Sequence, residues 1–168
     1  MGASPTLIRL SLIAAMGIAA IAIYRGGDPL RSQALAPAAI ETAVNARNGV
    51  AINGYDPVAY FLEGEPEPGN PYYTTVWRGA EWRFVSSRNL ALFRAQPTRY
   101  APQFGGFSVY GVARGKAYDA DPRLFDIIDG KLYFSHNQRV RDLWLENPEG
   151  YIAEADRIWR AGRDDVSG

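Results

Sequence analysis

The sequence predicts an α+β fold, a small antiparallel sheet of hairpins packed with several short helices. Two pairs of aromatic and β-branched runs meet at tight turns, residues 72–77 with 81–85 and 124–128 with 131–134. Elsewhere apolar residues recur at helical spacing, and nowhere do strands and helices alternate as a parallel sheet requires.

The chain opens on an apolar run. No charge occurs between Arg9 and Arg25, and residues 10–24 read LSLIAAMGIAAIAIY. Fifteen helical residues rise about 22 Å, short of the roughly 30 Å hydrocarbon core. Starting at Pro5, with Arg9 reaching back to the headgroups, extends the run to a marginal span. A cleaved signal peptide is the alternative, but Ala34-Leu35-Ala36 lies late and precedes Pro37. A helix buried in the domain fits worst, because the stretch has no polar face. The reading is an anchor or signal segment over 1–24, with the domain outside the cytoplasm, periplasmic if the cell has two membranes. Positive charges flank the run almost evenly, so orientation rests on targeting logic alone.

Residues 25–48 read as a juxtamembrane linker, with Gly26, Gly27 and Pro29, and a short helix over 37–47 started by Pro37. The globular part is expected over 49–159. Asn48-Gly49 is a turn, and Asp56-Pro57 starts a helix that the Gly and Pro residues of 63–71 break within two turns. Arg78-Gly79-Ala80 turns the first hairpin. Ser86 or Ser87 caps a helix carrying Leu90, Leu92 and Phe93, which stops by Gln96-Pro97. Residues 107–114 are read as a helix ended by Gly115. Asp129-Gly130 closes the second hairpin with the strongest short turn signal available. Ser135 or Asn137 then caps a helix bearing Val140, Leu143 and Trp144. A last helix from Asn147-Pro148 carries an apolar stripe of Tyr151, Ile152, Ala155, Ile158 and Trp159. The polar residues 160–168 read as a flexible tail.

Composition narrows the chemistry. With 168 residues, one domain plus extensions is expected on a prior of roughly 100–200 residues per domain. Hydrophobic residues make up 47% and aromatics 12%, enough for a packed core. Eighteen basic residues balance eighteen acidic ones, so no excess charge draws the chain to nucleic acid. The absence of cysteine removes disulfides, thiolate metal sites and thiol nucleophiles. One histidine, His136, leaves little material for acid–base catalysis.

The string Val50-Ala51-Ile52-Asn53-Gly54-Tyr55-Asp56-Pro57-Val58-Ala59-Tyr60-Phe61 resembles the opening of bacterial YHS domain-containing proteins. The likeness continues through Trp77-x-Gly79-Ala80-x-Trp82-x-Phe84 and Tyr100-Ala101-Pro102-Gln103-Phe104-Gly105-Gly106-Phe107. It runs on through Asp129-Gly130-Lys131-Leu132-Tyr133 to Gly150-Tyr151-Ile152-Ala153-x-Ala155-Asp156-x-x-Trp159, covering roughly 49–159. The resemblance implies a small metal-associated or accessory domain. Its exported branch usually carries a cysteine or selenocysteine just after Gly-Gly-aromatic, where this chain has Ser108. Thiol redox and thiolate metal binding are therefore rejected for this chain. Relatives also commonly continue after Leu132-Tyr133 with an apolar residue and Asn-Tyr, whereas this chain has Phe134-Ser135-His136.

Each candidate site residue has a sharp and a plain reading. Asp56 is a ligand for a cation, or simply a helix cap beside Pro57. Gly105-Gly106 presents N–H groups to an anion, or serves a turn needing positive φ or close packing. Ser108 as a nucleophile needs a base, and only His136 offers one. His136 as a metal ligand needs Asp126 or Asp129 beside it; otherwise it is a surface or hydrogen-bonding residue. Tyr55, Tyr60, Tyr72, Tyr73, Trp77, Trp82, Tyr110 and Tyr133 line a pocket or form the core. The expectation is a non-catalytic module, tethered or exported, binding a small ligand, ion or envelope partner near Gly105, Gly106, Ser108 and Tyr110. A metal site of oxygen and histidine ligands is the alternative, and an enzyme the weaker one. The sequence names no cofactor.

Overall fold

In a computed structural model of the chain, residues 43–164 are described, together with a two-residue strand at 33–34. The anchor or signal segment and most of the linker fall outside the described residues. So do 37–42, most of the helix expected after Pro37, and residues 165–168. No helix among the described residues is long and apolar enough to cross a membrane.

Part of the linker is already in the fold. Strand β1 (Gln33–Ala34) pairs antiparallel with β6 (Lys116–Ala117). Where the helix over 37–47 was expected to end, the chain instead forms β2 (Ala46–Arg47), which turns at Asn48-Gly49 into β3 (Val50–Ala51). The turn outweighs the helical pattern because both its residues take positive φ, 52° and 80°, which a helix forbids.

Three hairpins share this device. Arg78 and Gly79, at φ 49° and 73°, join β4 (Asn70–Trp77) to β5 (Ala80–Phe84). Asp129 and Gly130, at 51° and 70°, join β7 (Asp121–Ile128) to β8 (Lys131–Ser135). The chain is α+β, with one departure from the purely antiparallel expectation. The four-stranded sheet runs β2-β3-β5-β4, and β3 lies parallel to β5 at Val50 and Glu81. Two further sheets have two strands each. The long excursion through 52–79 lets the chain re-enter beside β3 in the same direction, which a tight hairpin cannot do.

The helices begin where side-chain caps allow. Short α1 (Ala59–Leu62) follows Asp56-Pro57. Ser86 accepts from the Asn89 amide at 3.2 Å and opens α2 (Ser87–Ala95), and Pro97 starts the single turn of α3 (Pro97–Tyr100). The helix expected over 107–114 is one turn, α4 (Val109–Val112), ended at Gly115 with φ 70°. Asn137 accepts from the Val140 amide at 2.9 Å and opens α5 (Gln138–Leu145). The last helix, α6 (Pro148–Asp164), extends past Trp159 into residues expected to form part of a flexible tail. Ion pairs one turn apart, Glu154–Arg157 and Asp156–Arg160, favour that continuation.

Two cores lie on either side of β8. Leu132 and Phe134 face the first, with Trp82, Phe84, Phe93 and Tyr60. Tyr133 faces the second, with Val109, Val112, Trp144 and Ala155. Both faces of β8 are therefore covered, and its apolar run is unbroken rather than alternating.

Asp56 ties the first core together. Its carboxylate is fully buried. Oδ1 accepts from the Val58 amide at 2.7 Å and the Ala59 amide at 3.4 Å, while Oδ2 accepts from the Val85 amide at 2.9 Å and Asn89 Nδ2 at 2.7 Å. We predict that Asp56→Ala costs more than about 3 kcal/mol, because it strands several buried donors at once. Urea unfolding is the measurement, and a loss below about 1 kcal/mol would contradict this role.

Candidate functional site

The Gly-Gly segment is a packing element. Residues Gln103–Gly106 form a 3-10 turn in which Phe104, Gly105 and Gly106 take φ of 54°, 64° and 88°. The Gly105 carbonyl accepts from the Asn45 amide at 2.8 Å, and the Gly106 carbonyl from Asn45 Nδ2 at 3.1 Å. A Cβ on Gly105 would collide with the Ala43 carbonyl, and one on Gly106 would come within 2.9 Å of Ile52 Cγ2. The pair thus lets residues 43–45 lie against the turn, and the close-packing reading of the two glycines holds.

Ser108 follows in the interior. Its amide donates to the Tyr118 carbonyl at 3.0 Å and its carbonyl accepts from the Val112 amide at 3.0 Å. The side chain is fully buried, and its hydroxyl has no hydrogen-bond partner among the described residues. His136 instead donates from Nδ1 to the Asp119 carbonyl at 2.7 Å, which puts the proton of the neutral ring on Nδ1. Ser108 Oγ makes no hydrogen bond to His136, so the two are not joined as a nucleophile and its base are.

The remaining candidates also scatter. Tyr60 is buried, donates to the Pro122 carbonyl at 2.8 Å and packs edge-on against Phe125 and Phe134. Tyr110 stacks on Tyr151 with centroids 5.6 Å apart, and the Arg114 guanidinium sits 3.7 Å above its ring. Asp126 is held by Arg141 through two hydrogen bonds of 2.9 and 2.6 Å. Among the described residues no three His, Asp or Glu side chains converge as a metal ion would need. Asp56, Tyr60 and Ser108 belong to the interior, so the seven residues singled out in sequence do not share one accessible surface.

A different feature is concave and open. Beside the Gly-Gly turn, a groove runs between Trp77 at the end of β4 and Trp159 on α6, bordered by Arg78, Thr98, Gln103 and Asp156. Both indoles are half-buried. Trp77 is braced by Trp82 and Phe93 at centroid distances of 5.8 and 5.7 Å, and Trp159 by Phe104 at 5.8 Å. The Arg78 guanidinium lies 4.5 Å from the Trp77 ring centre, and Asp156 meets Arg160 at 3.5 Å. Sequence reasoning included Trp77 among pocket aromatics but read Trp159 as stripe and passed over Arg78, Thr98, Gln103 and Asp156. The available signal was that Gln103, Asp156 and Trp159 all fall inside the family-like motifs.

Two predictions follow from the buried polar groups. Ser108→Ala removes an unpaired hydroxyl and raises stability by about 1 kcal/mol, whereas Ser135→Ala strands Trp144 Nε1, now 2.9 Å from Ser135 Oγ, and lowers it by about 1–3 kcal/mol. Equal losses in the two variants, measured by thermal or urea unfolding, would contradict the assignment.

The second concerns alkaline pH. Burial, then Asp156 and Asp129, pushes the Tyr133 phenol from 10.0 up to about 12. Burial likewise raises Tyr60, assisted by Tyr55, Asp121 and Asp56. Both shifts favour the neutral phenol in the fold, so this stabilisation is intact below pH 10 and is lost as pH rises towards 12. Unfolding free energy measured across that window should fall, and less steeply in Tyr133→Phe; an identical slope in the variant would rule the contribution out.

Compared with protein-family models, curated proteins and solved structures, the chain matches none.

Proposed function

We propose that the chain is a YHS-like binding or accessory module, held at a membrane or exported by its N-terminal segment, with no catalytic site of its own. It engages a small ligand or envelope partner through the groove between Trp77 and Trp159. The observation that carries this reading is the contrast between that groove and the reactive side chains. The groove combines two braced indoles with a polar border, as ligand sites commonly do. The candidates for chemistry are buried, paired or apart.

Support also comes from the sequence resemblance, because Trp77, Gln103, Asp156 and Trp159 all lie within its motifs. The expected ligand face moves only a short way, from the buried Gly106 and Ser108 to the half-exposed flank of Gly105. An oxygen-ligand metal site is the weaker reading, since Asp56 and Asp126 already hold amide and guanidinium donors.

Native mass spectrometry of the full chain, extracted from the membranes that carry it, tests the proposal. A retained molecule should be lost in Trp159→Ala and kept in His136→Ala. Turnover by the purified chain that His136→Ala abolishes, or retention indifferent to Trp159→Ala, would sink it.

A further inference from the structure

We infer that the groove between Trp77 and Trp159 binds a neutral saccharide, an inference that rests on the proposed binding role and adds the ligand's chemical class. The border offers hydrogen-bonding groups of both kinds. Arg78 only donates, the Asp156 carboxylate accepts, and the Thr98 hydroxyl and Gln103 amide do both. A pyranose ring has the complementary chemistry: hydroxyls that donate and accept around its rim, and C–H groups on its faces. Half-buried indoles suit such a ligand, since each joins a broad apolar surface to one N–H donor.

Charge selects against other ligands of similar size. Arg78 and Asp156 carry opposite charges on one groove, and Arg160 lies 3.5 Å from Asp156. An anion attracted to Arg78 meets the Asp156 carboxylate. A cation attracted to Asp156 meets Arg78 and must displace Arg160. A hydrocarbon ligand would desolvate these charged groups and offer them no hydrogen bond. A neutral polyol pairs with both signs and brings no charge of its own to desolvate.

The rings are also held ready. Trp82 and Phe93 brace Trp77, Phe104 braces Trp159, and Phe104 belongs to the positive-φ turn against which Ala43 packs. Binding therefore orders few side chains, which lowers its entropic cost.

Tryptophan fluorescence and titration calorimetry of the full chain test the inference with four probes, short homo-oligomers of glucose, mannose, galactose and N-acetylglucosamine. At least one should bind saturably with Kd below about 1 mM, weakened at least about tenfold by Trp159→Ala and by Gln103→Ala with Asp156→Asn. The double variant leaves the Trp159 packing in place, so its circular dichroism should match the parent and its loss of binding cannot come from unfolding. No saturable response to any probe up to about 10 mM, or tighter binding of acetate or tetramethylammonium at the groove, overturns the saccharide assignment. A non-saccharide that is retained natively and lost in Trp159→Ala overturns the ligand class and leaves the groove standing. Retention unaffected by Trp159→Ala brings down both readings.

Discussion

The Asp56 carboxylate accepts from the start of α1, from the end of β5 and from the Asn89 side chain on α2, the last 33 positions away in the chain. A buried carboxylate is tolerated only when its oxygens are supplied with donors, and four groups supply these. The consequence reaches beyond the first core. Fixing α2 against β5 brings Phe93 beside Trp77, Trp82 and Phe84, and Trp77 in turn forms one wall of the groove. Helix capping and core assembly are performed here by one side chain.

β8 joins the two cores because its successive residues face opposite ways. Phe134 meets Tyr60 on one side, while Tyr133 meets Phe104 and Trp144 on the other. Phe104 contacts Trp159, so the second wall of the groove also traces back to this strand. The glycine turn contributes differently. Its positive-φ residues let Asn45 bond both glycine carbonyls, and its other flank reaches the groove through Gln103 and Gly105. An open site is thus bordered by elements whose own positions are set by burial elsewhere.

Much of the fold was legible in the residues. The hairpins at Arg78-Gly79 and Asp129-Gly130, the caps at Ser86 and Asn137, and the stripe around Ala155 depend on neighbours a few positions away. The misreadings have a common cause. Ala46-Arg47 has helical propensity but pairs with Val50-Ala51, and that strand finds β5 only in three dimensions. Ser108 belongs to the expected ligand face, yet it lies between Tyr118 and Phe134 in the interior. Tyr60 and Asp56 are interior as well, in keeping with the core and helix-cap readings of these two residues. Local pattern reports which residues can turn, cap or alternate; it does not report what will cover them.

By itself, then, the sequence determined the α+β class, the turn-closed hairpins, most helix starts and a poor supply of reactive side chains, because each depends on composition or on short-range geometry. Tertiary structure decided that the Gly-Gly turn is a seat for residues 43–45, that Ser108 is sealed and His136 bonded to the Asp119 carbonyl, and that Trp77 and Trp159 face one groove. The reason is distance along the chain. The two tryptophans are far apart in sequence, and only the packing of β8 between two cores brings their surroundings together.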